Sequence, residues 1–579
     1  MTNLSIHPGL VPITLGITGH RDIPDSDISL IESAINSCLE TVDKDYPNSP
    51  KVLISGLAEG VDQIAALCAV NKGWKLHALL ALPKEEFLTT FDQTNKKTSI
   101  ANLEFLLGKS SWITVASDSN TPAPECFINV AHLIAQKAQW LIACWDGIEA
   151  LKADGGTSYT VKVFRDGRPS SLPNTPDNGP VKWIRTRRLN DQVLNEVGHI
   201  VDIAPTTATI LNNNLENIND HKYLKIWEDI LKKIDFYNKE AQLLISNYPD
   251  RLNKKRIDYL QIKDSLSETP ERASWLFVLA DEISLIAGKK RSTRLITLIL
   301  VSVIALICHA LYAESPIKDW TWQVISLSLA FGAALTVIDP PEILHRLFPL
   351  LKYLNIRIIE SSYLDCRALA ESSRIQFFWS IANLNLCVSD YFLRDQRNET
   401  EWIRQSIRTT IQNERKDNSE LNREIAEYIL QAWIRDQKNF FIYSKKSMKY
   451  HAAREKKLTL IAKSLLISAI ALALTSLLLQ WLDVELFDTE WLDFFYTCAL
   501  TISGATKIYQ ETQGHLEHSR SYEKMGLMML IAEGKMTEYW DDPEVIKSII
   551  KEVGLSALDE NAGWLELHRE RPANPIFGA

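Results

Sequence analysis

The chain has 579 residues, more than one hydrophobic core organises, since cores stop growing near ~250–300 residues, so several domains are expected. Its formal charge of −9, from 63 Lys and Arg against 72 Asp and Glu, excludes a protein held to nucleic acid by a general positive field. Apolar residues make up 46% of the chain and charged residues 23%, ordinary values that conceal a concentration of the apolar residues in four blocks.

The first residues, MTNLSIHPGLVPITLGITGH, lack a basic stretch followed by an apolar run and a small-residue cleavage site, so no signal peptide is expected and the N-terminus is assigned to the cytoplasm. Eight cysteines (Cys38, Cys68, Cys126, Cys144, Cys308, Cys366, Cys387 and Cys498) are scattered without a C-x-x-C pair or a histidine at ligand spacing. They read as reduced, buried thiols, and neither a metal site nor a cofactor is expected.

Residues 12–19 (PITLGITG) form an apolar β-type run, followed by His20, Arg21 and an amphipathic helix over about 26–42. A second strand over 51–54 runs into Ser55-Gly56-Leu57-Ala58-Glu59-Gly60-Val61-Asp62 and an Ala-rich helix. Strands over 76–82, ending at Pro83, over 112–115 and over 140–145, ending at Asp146-Gly147, continue the alternation, with a helix near 128–138. This alternation predicts a Rossmann-like α/β fold, a doubly wound parallel sheet with ligands at the carboxyl ends of its strands. Those ends carry what a phosphate needs, namely glycines that admit backbone, helix N-termini that present N–H groups, and in Arg21 a planar fork. The candidate ligand-binding residues are Gly19, His20, Arg21, Ser55, Gly56, Glu59, Gly60, Asp62, Pro83, Asp146, Gly155, Gly156 and Thr157. Two readings stand for several of them: Gly19 and Gly60 as plain turns, Asp62 as a cap, Asp146 as a ribose ligand or a turn former with Gly147, and Glu59 as a helix-start residue or a catalytic carboxylate.

The run Ser55-Gly56-Leu57-Ala58-x-Gly60-x-Asp62, with its Ala-rich helix, resembles the signature of the SLOG superfamily, which includes DNA-processing protein A and the LOG nucleotide phosphoribohydrolases. The resemblance covers about residues 12–162 and implies that the strand ends bind a nucleotide or a nucleotide-derived second messenger. Joined to transmembrane helices, such a domain resembles bacterial effectors of nucleotide-dependent antiphage systems. The hydrolytic LOG enzymes carry Pro-Gly-Gly-x-Gly-Thr followed by Glu. Here the sequence reads Asp154-Gly155-Gly156-Thr157-Ser158-Tyr159-Thr160, with no carboxylate at that place for general acid/base work.

Residues 166–180 (DGRPSSLPNTPDNGP) read as an exposed loop or a lid, and 181–188 as a last strand bearing Lys182, Arg185, Arg187 and Arg188, a basic cluster that faces a phosphate or solvent. Residues 1–200 thus form the nucleotide-binding domain and 201–290 a helical connector, helical periodicity being clear over 221–286. An all-α region with four transmembrane helices is expected beyond, at about 295–312, 320–338, 464–481 and 491–508, each near the ~20 residues that cross a bilayer. The first hairpin and a cytoplasmic helix occupy 291–400, a cytoplasmic helical segment 401–457, and the second hairpin with C-terminal helices 458–579. Tyr363–Trp379 and Tyr522–Glu533, one after each hairpin, are expected to be helical and suggest a duplicated unit. Lys289, Lys290, Arg291 and Arg294 precede the first span, and Lys445, Lys446, Lys449, Arg454, Lys456 and Lys457 the third, whereas LDVELFDTE after the third is acidic. Basic residues favour the inner face and Trp320, Trp322, Trp481 and Trp491 suit headgroup depth, which predicts a multi-pass protein of the bacterial inner membrane with both termini cytoplasmic.

These elements predict a membrane-anchored sensor that passes a nucleotide-derived signal to its membrane helices and acts as a homo-oligomer, a pore requiring several copies. The alternatives are a membrane-tethered nucleotide hydrolase using Glu59 or Asp146, and a single-stranded DNA-binding protein, which the acidic charge disfavours.

Overall fold

The computed structural model describes residues 7–91, 96–148, 154–167, 179–189, 196–205, 220–262, 266–337, 356–392, 397–411, 421–444, 448–482 and 489–570. The chain divides into two compact units, one of Met1–Asp258, Ile262–Leu279 and Ser372–Ser419, the other of Tyr259–Gln261, Ala280–Glu371 and Glu420–Ala579.

The first unit is organised by seven strands: β1 (Ile13–Gly19), β2 (Lys51–Ser55), β3 (Lys75–Leu80), β4 (Trp112–Val115), β5 (Trp140–Trp145), β6 (Val181–Arg185) and β7 (Ile200–Ile203). Their order is β4-β3-β2-β1-β5-β6-β7, parallel throughout except for the antiparallel β6–β7 pair. Between them lie α1 (Ile28–Asp45), α2 (Val61–Asn71), α3 (Lys84–Thr89), α4 (Lys96–Lys109), α5 (Ala123–Lys137) and α6 (Thr157–Asp166). Helices cover both faces, which is why β1 up to Thr18 and all of β5 are buried instead of alternating between core and solvent. Ile134 and Ala135 of α5, Ala138 just after it, and Val161 and Phe164 of α6 pack with Val52, Ile54, Leu141 and Ala143. The opposite layer buries Ile31, Ile35 and Leu39 of α1 and Ala65 and Ala69 of α2. The expected strands are found with ends shifted by a residue or two, except the last, expected over 181–188, which ends at Arg185. β7, α3 and α4 were not foreseen, being short or lacking a clean apolar period. Of the expected 166–180 loop, 168–178 lie outside the described residues.

The helical stretch expected over 221–286 is broken, for Pro249 opens a new helix. The first piece, α7 (Asp220–Asn247), docks on the amino edge of the sheet. Asn238, fully buried, accepts from the Val11 N–H (2.8 Å) and donates to the Val11 carbonyl (2.7 Å) just ahead of β1. Asp235 accepts from the Asn48 N–H (2.8 Å) and the Ser49 hydroxyl (2.8 Å) just ahead of β2. The following α8 (Pro249–Leu260) completes the pair.

The connector and the first expected span are one helix, α9 (Glu268–Ala313). Then come α10 (Trp320–Val337), α11 (Ile356–Ile381), α12 (Arg397–Arg408), α13 (Arg423–Ile429), a π-helical turn over Leu430–Arg435 and α14 (Asp436–Tyr443). The last four are α15 (Met448–Trp481), α16 (Thr489–Gln513), α17 (His515–Glu538) and α18 (Pro543–Glu570). Tyr363–Trp379 and Tyr522–Glu533 are helical as expected, in α11 and α17.

Two of the described helices are long and apolar enough to cross a membrane, α9 and the one ending at Trp481, where four were expected. The expected second span forms α10, but its last residue, Ile338, lies outside the described residues. The fourth lies in α16, where Asp493 and Lys507 within 491–508 hold it below the apolarity of the other two. Lys445, Lys446 and residues 483–488 of the acidic loop also lie outside the described residues. In the second unit Leu295, Leu298 and Ile299 of α9 pack with Ala333 of α10 and Ala505 of α16. α15 buries Ala462, Ala469 and Ser476, small residues seven apart, and leaves large aliphatics such as Leu460, Ile467, Leu474 and Leu477 exposed. Polar pegs set its register against α16: Ser503 donates to the Ala462 carbonyl (2.8 Å), and Ser476 to Asp493 (2.7 Å). At the turn end, Lys318 pairs with Glu490 at 2.7 Å.

Asn238→Ala strands the N–H and carbonyl of Val11 in a buried setting, where each unsatisfied group costs about 1–3 kcal/mol. Urea denaturation of the full chain should show the first unit unfolding at lower denaturant with an unchanged slope, while Gln242→Ala on the exposed side of α7 stays within about 0.5 kcal/mol of the parent.

Candidate functional site

Strand order reverses between β1 and β5, from which the chain winds outward in opposite directions, and a crevice at such a point lies beyond the carboxyl ends of the strands. The register brings these ends level, Gly19 beside Cys144 on β5 and Ile17 beside Ser55 on β2. The loops after β1, β2 and β5 therefore emerge together, and they carry nearly all the residues singled out in the sequence.

The β1 and β2 loops touch backbone to backbone. Gly60, at φ +79°, lies so close to the carbonyls of His20 and Arg21 that a Cβ would stand 2.6 Å from each oxygen. Val61 donates its N–H to the His20 carbonyl (3.3 Å), and a Cβ on Gly19 would collide with the Val61 side chain. Ser55, fully buried, spends its hydroxyl on the loop: it donates to the Asp62 carbonyl (3.2 Å) and accepts from the Leu57 N–H (3.1 Å), steadying Leu57 at φ +51°. Gly56 leaves room for the Asp62 carboxylate, whose Oδ2 would stand 3.0 Å from a Cβ there. Glu59 is buried in the same loop.

Asp62, in the first turn of α2, is buried with its Oδ1 unpartnered. Burial raises its pKa to about 7, against the opposing pull of the Arg21 guanidinium and the Ala58 and Gly19 amides. A buried carboxyl poised between its two protonation states at neutral pH, on a ligand-facing edge, marks a candidate functional group. Arg21 reaches over the site, donating to the Thr90 carbonyl (3.2 Å) beyond α3 and lying 5.2 Å from the centre of the Phe127 ring on α5. Pro83 stands ahead of α3 and fixes that turn, its carbonyl accepting from the Phe87 N–H (2.9 Å).

On the β5 side the Asp146 N–H donates to His20 Nε2 (3.1 Å). An accepting Nε2 carries no proton, so His20 is neutral with its proton on Nδ1, in keeping with a pKa lowered chiefly by burial and further by Arg188, against Asp146 and Asp22. Arg188 donates to Asp146 Oδ2 (3.1 Å), which also lies 3.2 Å from His20 Nε2 and forms an ion pair with it only when the ring is protonated. Gly155, at φ +74°, packs on the backbone of Phe127 and Ile128 so tightly that no side chain fits. Gly156 donates its N–H to Asp154 Oδ1 (2.9 Å) and caps α6, whose first residue is Thr157. Phe127 thus links the Gly155 turn to Arg21. Gly19, His20, Arg21, Gly56, Gly60, Asp62, Asp146 and Gly155 share one edge, with Gly156 and Thr157 at the adjoining helix start.

Sequence reasoning missed Thr90 and Phe127, which no motif marks because they reach Arg21 from distant helices. It also read the basic residues near β6 as facing a phosphate or solvent. Each meets a carboxylate, Arg188 while still half exposed to solvent: Lys182 with Asp202 (2.9 Å), Arg185 with Glu196, Arg187 with Asp27 (2.7 Å) and Arg188 with Asp146 (3.1 Å). The Arg187 fork holds the Asp27 pKa below its usual range. Among the described residues no group of three or more His, Cys, Asp or Glu could hold a metal ion.

In comparison with known proteins, the chain matches no family model and no curated protein is similar to it.

Because Asp62 has a higher pKa folded than its ~3.9 unfolded, the native state binds its proton more tightly, and stability falls as pH rises from about 4 through about 7. Asp62→Asn keeps the shape without the charge, so its thermal midpoint should exceed the parent's at pH 8 and approach it at pH 5. Parallel curves for the two proteins would remove Asp62 as the titrating group.

Proposed function

We propose that this chain is a membrane-anchored sensor whose first unit binds a nucleotide-derived, phosphorylated ligand at the carboxyl edge of its sheet and whose apolar helices transmit the event to a lipid bilayer. The observation that carries the reading is the convergence of glycine-built loops at the point where strand order reverses, with Arg21 above them and the starts of α2 and α6 beside them. Helix starts present N–H groups to an anion, and a crevice at this place in a parallel sheet is where such folds seat their ligands. The resemblance of the Ser55–Asp62 run to SLOG domains points the same way and carries with it the nucleotide class, the bacterial setting and a role in antiphage defence.

The membrane half rests on exposure. Only 11% of the most apolar stretch of the helix ending at Trp481 is buried, and 39% of that in α9. A soluble core helix hides such a surface, since each large aliphatic side chain left in water forgoes roughly 1.5–3 kcal/mol. Ile296, Leu300 and Ile304 on α9, Leu327 and Phe331 on α10, and Phe495 and Leu500 on α16 extend the exposed apolar surface to all four expected spans. The Lys318–Glu490 pair brings the turns of the two hairpins together, which fits two hairpins entering from one side, with the basic residues ahead of the third expected span and both termini in the cytoplasm. The sensor works if the ligand binds one of two arrangements of the chain better than the other, in a single copy or in a homo-oligomer.

Hydrolysis through Glu59 or Asp146 gains little support: Asp146 is held by Arg188 and Glu59 is enclosed in its loop. Binding of single-stranded DNA gains less, because the basic residues near β6 are paired with carboxylates.

Two measurements test the reading. The full chain should remain with the membrane pellet after alkaline carbonate washing and leave it only with detergent; release by carbonate alone would end the membrane half. In detergent, a screen of mononucleotides, cyclic oligonucleotides and ADP-ribose should give at least one concentration-dependent rise in thermal midpoint. Arg21→Ala should weaken that ligand by tenfold or more and Gly56→Glu should abolish the rise, and a rise unaffected by both would place the ligand elsewhere.

A further inference from the structure

Four of the twelve histidines of the chain meet in the second unit, at the junction of α15, α17 and α18. His451 lies near the start of α15, His515 and His518 in the first turn of α17, and His568 in the last turn of α18. The Nδ1 atoms of His451 and His515 are 3.0 Å apart. The His518 ring stands 5.2 Å from that of His451 and 5.1 Å from that of His568, which in turn lies 4.5 Å from Trp564 and bonds the Trp564 carbonyl through Nδ1 (3.0 Å).

A hydrogen bond between two imidazole nitrogens needs a proton on one and a lone pair on the other. The His451–His515 bond therefore holds while one proton is shared and breaks when both nitrogens carry one. His515 has no relief on its far side, for its Nε2 is buried without a partner. The neighbours from each packed element carry charges of both signs. On α15 they are Tyr450, Arg454 and Glu455, the last engaged by the Gln510 amide of α16. On α17 they are Glu517 and Tyr522, on α18 Trp564 and Glu560, and around Tyr522 also Tyr363, Arg367 and Glu371 of α11. The charges that act on His518 come from the other three imidazoles, so each proton gained by one opposes a proton on the next. Among the described residues no three or more His, Cys, Asp or Glu are placed so that they could hold a metal ion, whereas a shared proton needs only the one lone pair that the His451–His515 contact offers.

We propose that the four imidazoles form a proton-operated latch, closing α15, α17 and α18 on one another while neutral and releasing them when two or more are protonated. The cluster lies just before the third expected span and just after the fourth, so its opening alters how the second hairpin is held. Burial first, and then repulsion from His568, His451 and His515, lowers the His518 pKa to about 3, and burial lowers that of His515. A folded pKa below the unfolded ~6.5 means that the closed junction is fully stable above that pH and loses stability as pH falls from 6.5 toward about 3. This sign is opposite to that of Asp62 in the first unit, so a local readout separates the two.

The test uses the full chain in detergent, with hydrogen–deuterium exchange at pH 7.5 and pH 5.0 corrected for the intrinsic pH dependence of exchange. Protection over 515–522 and 564–568 should fall at least tenfold more than protection over 52–54 in β2. Trp564 fluorescence should drop with it, because an imidazolium against the indole quenches. His518→Gln and His451→Gln should each reduce the pH-dependent loss at least threefold, whereas His199→Gln in the first unit leaves it intact. If a variant does not fold, the parent protein decides alone: equal protection at both pH values overturns the proposal. So does a pH effect that disappears when a chelator is added, which would make a bound metal the cause.

Discussion

The architecture of the first unit depends on one contact, the approach of the β2 loop to the carbonyls of His20 and Arg21 at Gly60. Two backbones meet there with no side chain between them. The approach sets the start of α2, draws the Asp62 carboxyl beneath the loops and leaves Arg21 above them. The desolvation of Asp62, the neutral state of His20 and the reach of Arg21 to Thr90 all follow from how closely these loops are drawn together. A larger residue at 60 would open the loops, let water reach Asp62 and return its pKa toward the ordinary carboxylate range.

Much of this was legible in the sequence because the signals are local. Most of the strands carry apolar runs bounded by turns, and parallel strands covered on both faces read as such. The glycine and Ser55 positions at their ends were also legible, since each is required by the backbone beside it. Their tasks were not. Ser55 pointed to a phosphate, yet its hydroxyl holds Leu57 and Asp62; Arg187 pointed to an anion, and the anion is Asp27, 160 positions away in the chain. Partners so remote leave no period or spacing in the sequence. Phe127 and Thr90 were missed for the same reason.

In the helical half, composition located the apolar blocks but not their packing. The third expected span, read as a uniformly oily rod, has a narrow inward face of Ala462, Ala469 and Ser476 and an outward face of large aliphatics. The fourth, whose polar residues weakened it as a span, directs Asp493 to Ser476 and Ser503 to the Ala462 carbonyl. Its polarity serves the pairing of the two helices. The histidines escaped notice because four positions spread from 451 to 568 form no motif until the helices bring them together.

Under the membrane reading proposed above, the seven-residue spacing on α15 bears on how the second hairpin would meet a bilayer. Small residues let two helices lie close, and the pegs at Ser503 and Ser476 forbid one from sliding along the other. Such a pair cannot shorten. Placed in a membrane thinner than its apolar length, it leans, and both of its ends swing sideways together.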